Sequence, residues 1–122
     1  MSITFPERVF LGGIDLFSEI KILTNENDDK IYSALNELAL SNSAKKRAKE
    51  LSTGMRSRAS VIRAMLAKSE IVFFDEPLLG LDENTKILVN NFINNNLNSR
   101  TLIYTGEDMY FEKLTQKKII LK

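Results

Sequence analysis

The run Ile71-Val-Phe-Phe74 is continuous and apolar, and it stops at two adjacent carboxylates, Asp75-Glu76, followed by Pro77 and Leu78. Four apolar residues without alternation predict a short strand buried on both faces, as in a parallel sheet covered by helices. A strand ending in Asp75-Glu76 delivers two acids to the rim of that sheet. There one carboxylate can hold Mg²⁺ through water while the other activates a water molecule. Upstream stands Leu51-Ser-Thr-Gly-Met55, a polar loop that opens an apolar-periodic segment.

The rest of the chain supports an α/β fold. Ile3-Thr-Phe5 followed by Pro6 reads as the end of a short strand, since proline cannot continue a central ladder, and Gly12-Gly13 lie in the loop beyond it. From about Asp28 to Leu40, Ile31, Ala34, Leu35, Leu38 and Ala39 paint one helical face, with Asp28 or Asp29 as cap. Ser41 to Glu50 is polar, and its Lys45, Lys46, Arg47 and Lys49 read as a solvated helix face. From Met55 to about Lys68, Ala59, Ile62, Met65 and Leu66 keep helical spacing, with Ser52 or Thr53 as cap. A third helix is expected over Asn84 to Leu97, with Ile87, Leu88, Phe92 and Ile93 inward and the asparagines of Asn90 to Asn98 on an exposed face. Thr101 to Tyr104 and Lys118 to Leu121 read as two more strands. Strands alternating with helices after residue 70 imply a parallel sheet. No internal repeat or linker interrupts the chain, and a soft boundary near Glu70 divides it into 1–69 and 70–122, two parts of one structural unit.

Composition narrows the function classes. The chain has 122 residues, 43% hydrophobic and 27% charged, enough for one globular unit with a modest core. A net charge of +1 gives no electrostatic instruction toward nucleic acid. The absence of cysteine excludes disulfides and thiolate metal sites, which fits a reducing cytoplasm. No apolar stretch approaches the roughly 20 residues of a membrane span, so a link to the membrane is expected to run through a partner.

The order of these features, Leu51-Ser-Thr-Gly-Met55, a helix with Arg56, Arg58 and Arg63, then Ile71 to Asp75-Glu76-Pro77 and Leu81-Asp82, resembles the second half of an ATP-binding-cassette (ABC) ATPase domain. The resemblance implies a partial P-loop NTPase fold: a helical subdomain followed by a parallel sheet with helices, lacking the strand that leads into the phosphate loop. Ser52, Thr53 and Gly54 match the signature loop, whose helix start offers donors and a positive dipole end to a phosphate. Asp75 resembles the Walker B aspartate, which holds Mg²⁺ through water, and Glu76 the catalytic glutamate that polarises the attacking water. Leu81-Asp82 resembles the D-loop, which in the family crosses a dimer interface. Pro6-Glu7 resembles the Q-loop region, which would make 7 to about 69 the helical subdomain that docks on membrane domains.

Two departures stand against that pattern. A phosphate loop needs Gly-x-x-x-x-Gly-Lys-Ser/Thr, and Gly12, Gly13, Gly54, Gly80 and Gly106 include no pair five apart. No Walker A motif is therefore present, and the chain alone is expected neither to hydrolyse ATP nor to bind it tightly. Along Thr101 to Asp108, Glu107 stands where the family places a phosphate-contacting histidine, and this chain has no histidine at all. A carboxylate repels where imidazole would donate.

Three readings remain open. The first is an ABC transporter segment, encoded separately or cut from a longer protein, that contributes signature and Walker B elements to an ATP-hydrolysing site, with ATP and Mg²⁺ bound only in a complete composite site formed with a partner chain carrying Walker A. The second is a degenerate, non-catalytic module that docks on a transmembrane permease or a regulatory partner. The third is an unrelated α/β domain. The first two imply a cytoplasmic protein, or one peripheral to the inner face of the cell membrane through a permease. Self-association is expected wherever apolar strands lose their cover. Chromosome-organising ATPases fit less well, because no long heptad segment is present.

Overall fold

The computed structural model describes residues 3–4, 13–106 and 118–121. Glu7 and Glu107 lie outside the described residues. Four strands, β1 (Ile3–Thr4), β2 (Ile71–Asp75), β3 (Thr101–Thr105) and β4 (Lys118–Leu121), form one sheet in the order β1-β2-β3-β4. Every neighbouring pair is parallel. The β2–β3 register sets Ile71 opposite Thr101 and Asp75 opposite Thr105, so both strands end at the same rim.

Between β1 and β2 the described residues form three α-helices. The first, α1 (Leu16–Thr24), was not expected. Asp15 caps it, its side chain accepting from Ser18 N–H at 2.7 Å, and it ends at Asn25 in the left-handed conformation, φ 54°. Its buried Leu16 and Ile20 are only four residues apart, too sparse a pattern to stand out beside the glycines before it. Helix α2 (Asp28–Glu37) buries Ile31, Ala34 and Leu35. Asn27 caps it, accepting from Lys30 N–H at 2.8 Å, rather than Asp28 or Asp29, which occupy the first turn where acidic side chains suit the dipole. Ala39 then turns the chain with φ 58° and is exposed, so it does not belong to the buried face.

The basic stretch at 45–49 is exposed, yet it is no helix face. It holds the short 3-10 turn Ala48–Glu50, and its backbone receives α1: Leu16 N–H donates to Lys46 and Phe17 N–H to Ala44, both at 2.9 Å. Helix α3 (Thr53–Leu66) buries Ser57 and everything from Ala59 to Leu66, including the four apolar residues expected. Helix α4 (Glu83–Asn96) departs from its expected face: Phe92 and Ile93 are buried with Val89 and Asn90, whereas Ile87 and Leu88 are 55% and 40% exposed. Ile87 and Leu88 precede Val89 by two residues and one, and turns of about 100° per residue carry them off the stripe that Val89, Phe92 and Ile93 share.

The sheet also corrects an expectation. Val72, Phe74, Leu102 and Tyr104 are fully buried, while Ile71, Phe73, Thr101, Ile103 and Thr105 are only half-buried. One face of β2 and β3 is sealed by the core and the other is not, a period-two pattern that a run of four apolar residues conceals. The sealed face joins Ile62, Met65, Phe92, Ile93 and Leu97 in one continuous core, which also contains Ile20, Ile31 and Leu35.

Arg100 ties this core together. It is half-buried, and its guanidinium donates to Leu97 C=O at 3.1 Å, Ala67 C=O at 2.9 Å, Met65 C=O at 3.0 Å and also Asn96 C=O. These carbonyls sit at the C-terminal ends of α3 and α4, where unpaired acceptors and a negative dipole end favour a cation. Burial pushes the guanidinium below its ordinary value. Just beyond, Thr101 N–H donates to Glu70 C=O at 3.0 Å, bringing the starts of β2 and β3 level.

Candidate functional site

Asp75 is the last residue of β2 and Glu76 the first beyond it, and both are exposed at the rim. Their neighbour is Thr105, the last residue of β3. The Thr105 hydroxyl donates to Asp75 Oδ1 at 2.6 Å, a short bond of the kind formed with a charged acceptor. It also accepts from Glu76 N–H at 3.1 Å, and the Thr105 carbonyl accepts from the same N–H at 3.2 Å. Glu76 has φ 46°, a left-handed conformation uncommon outside glycine. Beside it Gly106 has φ 96°, and a Cβ on Gly106 would stand 2.9 Å from Glu76 Cγ. Thr105 and Gly106 were not among the expected site residues. β3 runs one residue further than expected, and it is the parallel register that sets Thr105 against Asp75.

From Glu76 a tight turn leads to α4. Leu79 N–H donates to Glu76 C=O at 3.1 Å and Leu81 N–H to Leu78 C=O at 3.3 Å, with Leu78 buried and Gly80 at φ 78°. Asp82 caps α4, accepting from Thr85 N–H at 2.7 Å. Hydrogen bonding from Thr85 is the main cause that holds the Asp82 carboxyl below its usual value, and the positive charge of Arg58 on α3 adds to it.

Ser52, Thr53 and Gly54 form the start of α3. Ser52 is the N-cap, accepting from Met55 N–H at 3.2 Å, and both Ser52 and Thr53 are exposed. No acidic residue lies in the first turn. Leu81 packs against this turn, since a Cβ on Gly54 would lie 3.6 Å from Leu81 Cδ2, an ordinary contact. The structure thus brings the Ser52–Gly54 turn and Leu81-Asp82 side by side, and sets Asp75, Glu76 and Thr105 together at the other end of the 76–81 turn.

Among the described residues no group of three or more His, Cys, Asp or Glu could hold a metal ion. Asp75 supplies one carboxylate with Oδ1 already engaged by Thr105. That fits an ion such as Mg²⁺, which keeps most of its waters and arrives with phosphate ligands, and does not fit an all-protein cage. No described helix is long and apolar enough to cross a membrane.

Comparison with known proteins agrees with this architecture. The family model for ABC transporters matches residues 8–79. ABC transporter A family member 1 of Dictyostelium discoideum is 30% identical over 98% of this chain, which spans 14% of that protein. The manganese transport system ATP-binding protein MntB of Listeria innocua is 27% identical over 98% of this chain, which covers 55% of it. Among solved structures, a Pyrococcus furiosus protein assigned as an ABC transporter ATP-binding protein superposes with a TM-score of 0.77 at 22% identity, over 97% of this chain and 62% of that one. A bacterial Atm1-family ABC exporter with ATP bound gives 0.73 at 17% identity, over 88% of this chain and 21% of that one. With a family model covering more than half of its length and the same α/β fold, this chain belongs to the ABC transporter family, in the part that forms its ATPase domain.

Proposed function

We propose that this chain contributes the signature and Walker B elements of an ATP-hydrolysing site that powers transport, its signature face completing a composite ATP site on a partner. The observation that carries this reading is the start of α3: an exposed N-terminus capped by a neutral serine, without acidic residues in its first turn, and with Arg56 and Arg58 on the following turn. Such an end attracts a phosphate held by another molecule. Gly54 adds support. Its φ is not left-handed and its Cβ position is not blocked, so the fold does not require glycine there, whereas close approach of a ligand does.

In this reading Ser52, Thr53 and Gly54 donate to the partner's nucleotide, and Asp82, beside them, belongs to the contact between protomers. Asp75 holds Mg²⁺ through water. Glu76 polarises the attacking water, while Glu7 and Glu107 stand at the Q-loop and switch positions. ATP with Mg²⁺ supplies the phosphoryl group and charge neutralisation once the composite site is complete. Residues 1–69 act as the signature subdomain and 70–122 as the Walker B, D-loop and switch part. The protein works in the cytoplasm or against the inner face of the membrane through a permease. Relatives named for manganese transport and for lipoprotein release differ in cargo, so similarity to them names no cargo for this chain.

The test is association of the full chain with a Walker A-containing ABC ATPase, followed by sedimentation with and without ATP and Mg²⁺. ATP-dependent complex formation is expected, and turnover that Glu76→Gln abolishes. The second reading, a non-catalytic docking module, is favoured by Glu107, which stands where the resemblance places a phosphate-contacting histidine. It predicts nucleotide-independent binding to a permease and no turnover in any mixture.

A further inference from the structure

We propose that Thr105 and Gly106, at the end of β3, are positioning residues that set the geometry of both carboxylates at the end of β2. The proposal rests on the ATP-site reading for its function, but its geometry stands independently. A threonine hydroxyl has one hydrogen to give and two lone pairs to accept with. Thr105 gives its hydrogen to Asp75 Oδ1 at 2.6 Å and accepts from Glu76 N–H at 3.1 Å. The hydroxyl therefore fixes the rotamer of Asp75 and, together with the Thr105 carbonyl, which accepts from the same N–H at 3.2 Å, holds the backbone of Glu76. Branching at Cβ restricts the threonine side chain to few rotamers, so the hydroxyl stays where both partners need it.

Gly106 supplies the space. Glu76 leaves β2 with φ 46°, which turns its side chain away from the direction that the strand's alternation would give. In this turned conformation the Glu76 stem lies against Gly106: a Cβ there would be 2.9 Å from Glu76 Cγ, 3.2 Å from Cα and 3.3 Å from Cβ. Gly106 itself has φ 96°, so any side chain at 106 meets both an unfavourable backbone and the Glu76 stem. The two strand ends thus interlock, with the exit of β3 prescribing the exit of β2. A displacement of the segment after Thr105 passes directly to the two acids.

The test uses the full chain in two arms. In the first, isotope-labelled protein is followed by amide hydrogen exchange and by the φ-dependent coupling of Glu76. Thr105→Val, which keeps shape and loses the hydroxyl, is expected to cut protection of the Glu76 amide about 10-fold while the core β2–β3 amides hold, with Thr105→Ser restoring it. Gly106→Ala is expected to shift the Glu76 coupling out of the left-handed range. The second arm measures the complex with a Walker A chain. Thr105→Val and Gly106→Ala should lower kcat about 10- to 100-fold at unchanged KM, with Thr105→Ser recovering much of it. Unchanged Glu76 protection in Thr105→Val overturns the proposal, as does a displaced Glu76 with wild-type kcat. If the wild-type complex shows no turnover, the ATPase reading fails, and the Glu76 amide and coupling alone decide the positioning.

Discussion

Helices α3 and α4 are each 14 residues long, each is capped by a side-chain oxygen accepting from the third backbone N–H, and their C-terminal ends share one guanidinium, that of Arg100. Their N-terminal ends differ. At α4 the cap is a carboxylate, Asp82, and Glu83 follows, so the positive end of the dipole is already answered by the helix's own charges. At α3 the cap is the neutral Ser52, and the next charges along the helix are Arg56 and Arg58. Two helices of equal length and like capping geometry thus differ at their starts: α4 answers its dipole with its own carboxylates, whereas α3 carries none of its own, and the proposed ATP-site reading sets a phosphate there.

The largest effect should come from obstructing the start of α3. Ser52→Arg places a long cation across the start of α3. It is expected to weaken ATP-dependent association with a Walker A chain about 100-fold or more, since two hydrogen bonds to a charged phosphate contribute about 1.5–3 kcal/mol each. Loss of the cap itself should cost the fold only about 1 kcal/mol by urea unfolding. Normal association by the variant would make the α3 end equivalent to the α4 end, and the comparison would break.

The shared ends are the next place to press. Arg100→Met removes four hydrogen bonds that join the carbonyls after α3 to those after α4, but the site is half-buried and water can reach some of them. We expect about 2–3 kcal/mol of destabilisation, below the 3–5 kcal/mol of a fully buried pair. A change under about 0.5 kcal/mol would show the guanidinium to be an exposed surface charge and no tie between the helices.

Most of the fold could be read from local pattern, and the failures share a cause. α2, α3, α4 and all four strands follow from apolar spacing over a dozen residues or fewer. What escaped depends on contacts distant in sequence or on single atoms: α1, held by backbone bonds to Ala44 and Lys46; the half-open face of the sheet; the outward turn of Ile87 and Leu88; and Arg100, whose partners Met65 and Ala67 lie more than thirty positions away. The site divides the same way. Asp75 and Glu76 announce themselves by ending an apolar run, whereas Thr105 becomes a neighbour only through parallel pairing with Asp75.

A subtler variant sharpens the contrast without blocking anything large. Gly54→Ala replaces a poor helix former by the best one at a position with room for a methyl group, so the fold should gain up to about 1 kcal/mol. If a ligand approaches the backbone there, ATP-dependent association should nevertheless fall, by about 10-fold for one weakened phosphate contact. Stability and binding moving in opposite directions is the expected signature. A variant that gains stability and keeps full association would leave Gly54 without a functional role.

The smallest effect is a difference in acid. Asp82 is held below the ordinary carboxylate value chiefly by its hydrogen bonds from Thr85, with Arg58 contributing, so it binds protons less readily folded than unfolded. Its contribution to the α4 end is present above the unfolded value, near 3.8, and is lost as pH falls through the lower folded value. Ser52 has no such titration. As pH is lowered from about 5 toward 2, protection of the Thr85 amide, corrected for intrinsic exchange, should fall ahead of that of the Met55 amide. Asp82→Asn keeps a good cap without the charge, and it should remove most of this divergence. Protection of the two amides declining in parallel in wild type would mean that the charge on Asp82 does not distinguish the two helix starts, and the difference between them would then rest on Arg56 and Arg58 alone.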